Sequence, residues 1–120
     1  MFSFPPIFRL RTRSDFAKVY ARRCRAGDDC FLVFADLNGL DYSRIGLSVS
    51  KKVGNSPCRN RWKRLIREAF RRNREDLPSG FDFIIIPSKK EPLPLLEEVV
   101  FSLKRNCRRA AEKARKIPQT

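Results

Sequence analysis

The chain has 120 residues, 27 of them Lys or Arg and 13 Asp or Glu, which leaves a formal net charge of +14, and it contains no histidine. Its length suits one domain with a single core, while 42% apolar and 33% charged residues indicate a folded chain with a heavily charged surface. The charge points to a polyanionic partner, nucleic acid before an acidic membrane, and the lack of histidine excludes the usual nuclease and catalytic-triad arrangements.

The N-terminal residues 1–8 are predicted to form a flexible arm, because the Pro5-Pro6 pair blocks a helix and no periodicity follows. Ser14 is predicted to cap a first helix over about 15–24. Phe16, Val19, Tyr20 and Arg23 would then lie on one side of this helix, at the spacing i, i+3, i+4 and i+7.

Two strands are predicted next, over 30–37 and 43–52. In the first, alternation places Phe31, Val33 and Ala35 on one face and Leu32 and Phe34 on the other. Both faces are apolar, so we expect both to be covered. The second strand alternates cleanly and follows a turn at "NGLD".

The most unusual segment is a helix predicted from Ser56, as N-cap, to about Arg74, with Pro57 at its first helical position. At 3.6 residues per turn, its basic side chains form one continuous stripe that also includes Asn60. The opposite side is apolar and fit for burial against a sheet. We expect the stripe to carry no interleaved acids and to bind a negatively charged partner; a solvated face is the alternative. The stripe consists of Arg59, Asn60, Lys63, Arg64, Arg67, Arg71 and Arg74.

The C-terminal third predicts a strand at "FDFIIIP" (81–87), buried on both faces, and an amphipathic helix from Leu95 to about Arg115. Residues 116–120 are predicted to be a loose tail. Together with the absence of repeats, this pattern predicts one domain over 1–120, and its charge indicates that the domain binds nucleic acid, RNA or DNA.

Cysteine use and hydropathy bear on location. The four cysteines form no CxxC pair, there is no signal-peptide pattern, and the longest apolar run, "FIII" at 83–86, is too short to span a bilayer. We therefore expect a cytoplasmic protein with reduced thiols, no disulfide partner, no bound metal of its own and no membrane association.

Three aromatic residues, Phe16, Tyr20 and Phe34, allow two interpretations. Aromatics at helical and strand spacing are often core residues, but they also form stacking surfaces for unpaired bases. Sequence spacing alone leaves both open.

The segment "SVSKKVGNSPCRNRWKRLIREAF" (48–70) resembles the protein component of bacterial ribonuclease P, whose hallmark is Arg-Asn-Arg followed by x-Lys-Arg-x-x-Arg on one helix. The likeness extends to "RLRTRSDFAKVY", "RIGLSVSKK" and "DFIII", and so covers most of the chain. It implies an α+β fold, a two-layer α-β sandwich of order αβββαβα, similar to a ribosomal-protein domain, with a left-handed β-α-β crossover. Splitting residues 30–52 would supply the third strand.

The resemblance also implies a function: a subunit of an endoribonuclease whose RNA subunit cleaves the 5′ leader from precursor tRNA, with Mg²⁺ held by that RNA and the substrate. Catalytic residues are expected to be absent from this chain. The expected partners are ribonuclease P RNA and precursor tRNA. The leader would bind Phe16, Tyr20, Leu32 and Phe34. The RNA subunit would bind Lys51, Lys52, Asn55, Arg59, Asn60, Arg61, Lys63, Arg64 and Arg67.

Two other functions compete with this one. A structural ribosomal or ribosome-assembly protein would carry a similar basic helix. A metal-dependent nuclease needs converging acids, whereas here the acids come as adjacent pairs whose side chains diverge. The sequence also departs from the family at Ser56-Pro57, where proline removes a backbone donor at the helix start.

Overall fold

The structure is a computed structural model that describes residues 6–88 and 92–117. Its order αβββαβα is the predicted one. The elements are α1 (Arg13–Arg22), β1 (Arg25–Gly27), β2 (Phe31–Leu37), β3 (Arg44–Leu47), α2 (Ser56–Asn73), β4 (Phe81–Pro87) and α3 (Leu96–Lys116). Short 3₁₀ turns are found at Pro6–Phe8, Lys51–Val53 and Arg74–Asp76.

The four strands form one sheet in the order β1-β2-β4-β3. Strand β2 is antiparallel to both β1 and β4, whereas β3 runs parallel to β4, and α2 makes the crossover between these two neighbours. The left hand of this crossover stays a prediction. The third strand is β1, so the expectation that it would come from splitting 30–52 is wrong; β1 has only three residues, of which Ala26 alone is buried.

The main core lies between one face of the sheet and the helices α2 and α3. Trp62 and Phe70 of α2 are fully buried against it, as are Phe31 and Phe83 of the sheet. Removing a side chain of this size from such a site costs about 3–5 kcal/mol, so this layer contributes most of the stability. The predicted alternation of β2 is confirmed, since Phe31, Val33 and Ala35 all have no exposed surface.

Among the described elements, α1 is the helix that packs on the other face of the sheet, where its Val19 joins Leu10 and Ile84 of β4 in a smaller apolar cluster. Because one ten-residue helix cannot cover this face, part of it stays open beside α1 as a cleft. Residues Leu32, Phe34 and Ile86 of this face are half-buried rather than buried. The candidate site therefore lies where α1 leaves this face of the sheet uncovered.

The N-caps of α1 and α2 lie one or two residues before the predicted ones. Thr12, not Ser14, caps α1, since its Oγ1 accepts a hydrogen bond from the backbone N–H of Asp15 at 3.0 Å. Asn55, not Ser56, caps α2, where its Oδ1 accepts from the N–H of Cys58 at 3.0 Å. In each case the cap side chain reaches the third residue beyond it, which satisfies an otherwise orphaned donor.

Strand β3 is shorter than the predicted 43–52, because Ser50 caps a 3₁₀ turn in place of further strand. Near the N-terminus, Phe8 is buried in the main core, with the Arg74 guanidinium 4.2 Å from its ring centroid. Of the predicted arm, residues 1–5 lie outside the described residues. The predicted tail, 116–120, begins at the last residue of α3, and residues 118–120 also lie outside the described part.

Candidate RNA-binding surfaces

The cleft beside α1 is lined by an aromatic pair. The ring centroids of Tyr20 and Phe34 are 5.0 Å apart with planes at 81°, and Phe16 lies 6.4 Å from Tyr20. All three side chains are half-buried, so each packs on the small cluster and still presents ring surface. Exposed ring faces of this kind can stack on unpaired bases. Leu32 lies on the same sheet face but outside the cluster, opposite Ile86.

Two partly buried ion pairs involve neighbouring residues of β2 and β4. Asp82 accepts hydrogen bonds from Arg44 Nε and Nη2 at 2.8 and 2.7 Å, and Asp36, its neighbour across the sheet, lies 3.2 Å from Arg22 Nε. Burial raises the pKa of Asp36, partly offset by Arg22, while the hydrogen bond to Asp82 raises the pKa of Arg44. The Arg22 pair therefore anchors the end of α1 to β2.

One end of the aromatic cleft carries two arginines that sequence reasoning missed. Arg23 and Arg25 line the same hollow as Tyr20 and Phe34. Arg23 takes the left-handed conformation, with φ 57° and ψ 22°, and closes α1 by donating its N–H to the Tyr20 carbonyl at 3.1 Å. Such a conformation costs energy in a non-glycine residue, and here it turns the chain into β1 beside the rings. Helical spacing predicted Arg23 on the same side as Phe16 and Tyr20 but gave it no binding role, whereas Arg25 lies in β1, beyond the reach of that periodicity.

The other end of the cleft meets the basic helix. Arg9, Arg11, Lys63 and Arg67 line one hollow whose apolar side includes Phe16. Burial lowers the pKa of Arg67, and the positive charge of Arg9 lowers it further. An arginine starts so far above neutrality that it stays a cation. The hollow is therefore strongly cationic and suited to phosphate, and of its four cations the sequence singled out only Lys63 and Arg67.

The structure separates the residues of the Arg-Asn-Arg helix onto two flanks. Lys63 and Arg67 border the cleft, whereas Arg61 and Arg64 lie beside Leu93 and Leu96 on the other flank. Asn60 is exposed, and the Nη2 of Arg59 donates to Ser56 Oγ at 2.9 Å. The predicted contact residues thus cover two adjoining surfaces of α2.

The predicted stripe is also shorter than expected. Glu68 binds Arg71 and Arg72 at 2.7 and 2.6 Å, so the expectation that no acid interrupts the stripe is wrong. The guanidinium group of Arg74 lies over the Phe8 ring. The carboxylate lies three and four residues before its partners, the spacing at which helical side chains meet. The uncompensated charge of α2 is therefore concentrated from Arg59 to Arg67.

The start of α2 adds further polar groups to this surface. Lys51 and Lys52 are both exposed in the 3₁₀ turn before the helix, whose start is fixed by the cap of Asn55. The side-chain oxygen of Asn55 accepts the capping hydrogen bond, while its amide nitrogen can donate to a partner. Pro57 stands in the first turn, where its missing donor leaves the helix intact.

Metal-binding groups are not clustered in the part of the chain that the structure describes. Over residues 6–88 and 92–117, no three side chains of His, Cys, Asp or Glu converge on a common point. All four cysteines are free and buried. Among the same residues, no helix has the length and apolar character needed to cross a bilayer.

Comparison with known proteins identifies the family of the chain. The Ribonuclease P family profile matches residues 4–115. The ribonuclease P protein component of Thermotoga maritima is 44% identical over 73% of this chain and 75% of that protein, and the one from Clostridium beijerinckii is 36% identical over 90% and 89%. The solved structure of the ribonuclease P protein from Thermotoga maritima has a TM-score of 0.72 at 35% identity and covers 92% of this chain and 98% of that one.

The fold and the basic surfaces are those of a ribonucleoprotein component, an α+β domain built around a partly covered sheet. The chain belongs to the ribonuclease P protein family. It is a subunit of the ribonuclease P endoribonuclease, which processes tRNA, and its partner is the ribonuclease P RNA. This decides against the ribosomal alternative and the free-standing nuclease.

Proposed function

We propose that the N-terminal half of α2 binds the ribonuclease P RNA while the cleft beside α1 binds the 5′ leader of precursor tRNA. The observation that carries this proposal is the arrangement of two neighbouring hollows. Half-buried Tyr20 and Phe34 share one with Arg23 and Arg25. Phe16, whose ring centroid lies 6.4 Å from that of Tyr20, borders the other with Arg9, Arg11, Lys63 and Arg67. A chain of alternating bases and phosphates matches this order of rings and guanidinium groups.

The cleft favours an unpaired strand over a duplex. Bases of a single strand expose their faces and can stack on aromatic rings, at about 1–3 kcal/mol per base, whereas paired bases are already stacked on each other. The folded body of tRNA offers mainly phosphates and ribose edges. The leader is a single-stranded segment that the product lacks, so the rings give the protein a means to distinguish precursor from product.

The surface of α2 takes the second RNA. We assign contacts with the RNA subunit to six residues of α2: Arg59, Asn60, Arg61, Lys63, Arg64 and Arg67. Of these, Lys63 and Arg67 lie on one flank of the helix, and Arg61 and Arg64 lie on the other. Lys51, Lys52 and Asn55 extend this surface beyond the helix start. Most of these groups are cations with no acid beside them, which supports a partner that supplies phosphates. In the cleft, Phe16 and Leu32 would complete the apolar lining under the leader.

We assign hydrolysis to the RNA subunit, with the Mg²⁺ ions held by that RNA and by the substrate. We assign the holoenzyme to the cytoplasm. The described residues do not fit a magnesium site, because their acids do not converge and several are already in ion pairs. The protein's contribution is electrostatic and positional: its cations neutralise phosphates that divalent ions would otherwise screen.

A reconstitution experiment tests this function. The purified chain is mixed with the ribonuclease P RNA of Thermotoga maritima, whose protein component is 44% identical to this chain. Two substrates are compared at low Mg²⁺, one precursor tRNA with a leader several nucleotides long and one with a single-nucleotide leader. The chain should stimulate cleavage of both by neutralising RNA charge, and of the long leader more strongly. Equal stimulation would contradict leader binding, and no stimulation would contradict the role of α2.

A further inference from the structure

A second hollow lies on the flank of α2 away from the aromatic cleft. Its floor is apolar: half-buried Leu65, Leu93 and Leu96, and buried Pro94. Arg61, Arg64 and Glu68 form its rim. The cavity measures about 820 Å³, within the range of sites that hold small organic groups. It is therefore large enough for one flat ring system and has walls suited to one.

The rim of this hollow is cationic in effect. Its single acid, Glu68, is bound to Arg71 at 2.7 Å and to Arg72 at 2.6 Å, so its charge is already compensated. Arg61 and Arg64 are exposed, and within the described ranges they have neither an ion pair nor a side-chain hydrogen bond. An apolar floor beneath two such arginines suits a ligand with a flat apolar part and a negative charge beside it.

A nucleotide that has swung out of a stack has this composition. Its base offers a flat, weakly polar face, and the phosphates on either side of it are anionic and accept the fork of donors of an arginine. The hollow also adjoins the surface that we assign to the RNA subunit, since Arg64 lies at the border between the two. A protein segment would fit the leucines as well but would need acidic side chains at matching positions to pair with both arginines, whereas in RNA a phosphate lies on each side of every base.

We propose that this hollow receives one unstacked nucleobase of the ribonuclease P RNA, with the adjacent phosphates on Arg61 and Arg64. The inference rests on the proposed function, because it concerns the RNA that α2 is assigned to bind. It distinguishes two places on one helix: Lys63 and Arg67 border the leader cleft as well as the RNA-binding surface, whereas Arg61 and Arg64 fix the RNA subunit in register. The site recognises an extruded base by shape and takes no part in cleavage.

Affinity and cross-linking test the inference together. Dissociation constants for the Thermotoga maritima ribonuclease P RNA are measured with Leu93→Ser and Leu96→Ser, and with Leu37→Ser as the matched control. Leu37 is a half-buried leucine at the end of β2, away from this hollow. The two hollow variants should each bind about tenfold more weakly than the wild type, the size of one base–protein interaction, and the control should bind normally. Thermal unfolding is followed for all three to exclude a loss of fold.

The nucleotide is then identified with the photo-cross-linking residue p-benzoylphenylalanine at position 93. A cross-link to one nucleotide supports the proposal when an abasic replacement there weakens the wild type about tenfold and weakens Leu96→Ser no further. Equal binding by wild type, Leu93→Ser and Leu96→Ser overturns it, and so does a cross-link to a second copy of the protein. If the wild-type chain fails to bind this RNA at all, the proposed function fails instead, so the two failures are distinguishable.

Discussion

The rings of Tyr20 and Phe34 meet nearly at right angles, 5.0 Å apart, across the gap between α1 and β2. An edge-to-face pair of this kind is favourable by about 0.5–1.5 kcal/mol beyond its buried area. Each ring thereby holds the other in place while part of its surface stays open to the cleft. The pair belongs both to the small apolar cluster and to the surface proposed for the leader.

Leader recognition predicts a selective loss of affinity. Tyr20→Ala or Phe34→Ala should weaken binding of leader-bearing precursor tRNA to the reconstituted holoenzyme by about 1–3 kcal/mol, because the variant cannot stack on one of the leader bases, and leave mature tRNA binding nearly unchanged. The measurement is a pair of dissociation constants for each variant. As a control, Phe31→Ala on the buried face should instead cost about 3–5 kcal/mol of stability. Equal losses for both RNAs would show that these rings are only structural.

The cationic hollow predicts a change in salt dependence. Arg67→Ala should weaken RNA binding and reduce the slope of log K against log salt by about one, because the variant neutralises one phosphate fewer. Stability should be kept or slightly raised, since Arg67 is partly buried near the like charge of Arg9, which lowers its pKa. Binding titrations at four salt concentrations and circular dichroism check both effects. Arg72→Ala, an exposed residue paired with Glu68, is the matched control and should leave the slope unchanged.

Gly46 lies under α1 and predicts a steric effect. A Cβ placed there would be 2.5 Å from Phe16 Cζ and 3.1 Å from Leu10 Cβ, so α1 must move or Phe16 must leave its place. Gly46→Ala should therefore cost about 1–3 kcal/mol of stability, the usual cost of overpacking, and weaken leader binding as well. Urea unfolding and the leader-dependent dissociation constant are the measurements. A variant as stable as the wild type would mean that the helix is mobile enough to accept the methyl group.

Asp28 predicts an acid-dependent contribution to stability. Burial favours its neutral form, but hydrogen bonds from Ser102 and from the N–H groups of Cys30 and Phe31 outweigh this and lower its pKa. A carboxylate with a lowered folded pKa stabilises the fold above its unfolded value, about 3.9, and loses that stabilisation as the pH falls through the folded value.

Accordingly, Asp28→Asn should lower the free energy of unfolding by about 1–3 kcal/mol at pH 7, as for hydrogen bonds to a charged group. The difference from wild type should shrink as the pH drops below about 4. Denaturant unfolding at a series of pH values measures it. Asp29→Asn, at the exposed neighbouring position, should have little effect. A difference that stays constant down to low pH would show that the charge is not responsible.

The composition predicts that the chain alone cleaves no RNA. It contains no histidine, and the acids that the structure describes do not converge. The isolated chain, repurified to constant activity, is incubated with precursor tRNA and Mg²⁺ and should give no product. Added to the RNA subunit, it should allow cleavage at a lower Mg²⁺ concentration, because its charge of +14 screens phosphates. Persistent cleavage without the RNA subunit would contradict the division of labour proposed above.

Elements with strong periodicity could be predicted from the sequence. The buried faces of α2 and β2 followed from spacing alone, because residues such as Trp62 and Phe31 repeat with the helix or strand period. Strand β1 could not, since three residues with one buried alanine carry no alternation and exist as a strand only through pairing with β2. The N-caps of α1 and α2 were predicted wrongly because Ser14 and Ser56, within two residues of Thr12 and Asn55, are equally good capping residues.

The candidate surfaces were predicted only in part, for a related reason. Arg9, Arg11, Arg23 and Arg25 lie on the segments that flank α1, and tertiary packing brings them to the cleft. A helical wheel also cannot show that Arg71 is bound by Glu68 or that Leu93 lies against Arg61, because the first depends on rotamers and the second on the loop before α3. The untested role of each residue stays a prediction.

The place of β4 in the sheet has a consequence for synthesis of the protein. It is the last of the strands that the structure describes, yet it lies between β2 and β3, and it supplies Ile84 to the floor of the cleft and Asp82 to Arg44. A nascent chain whose residues 81–87 have not yet emerged from the ribosome therefore has neither a continuous sheet nor a cleft. Because such non-local pairing forms late, the emerging basic helix reaches the cell's RNA before the surface that distinguishes one RNA from another has been built.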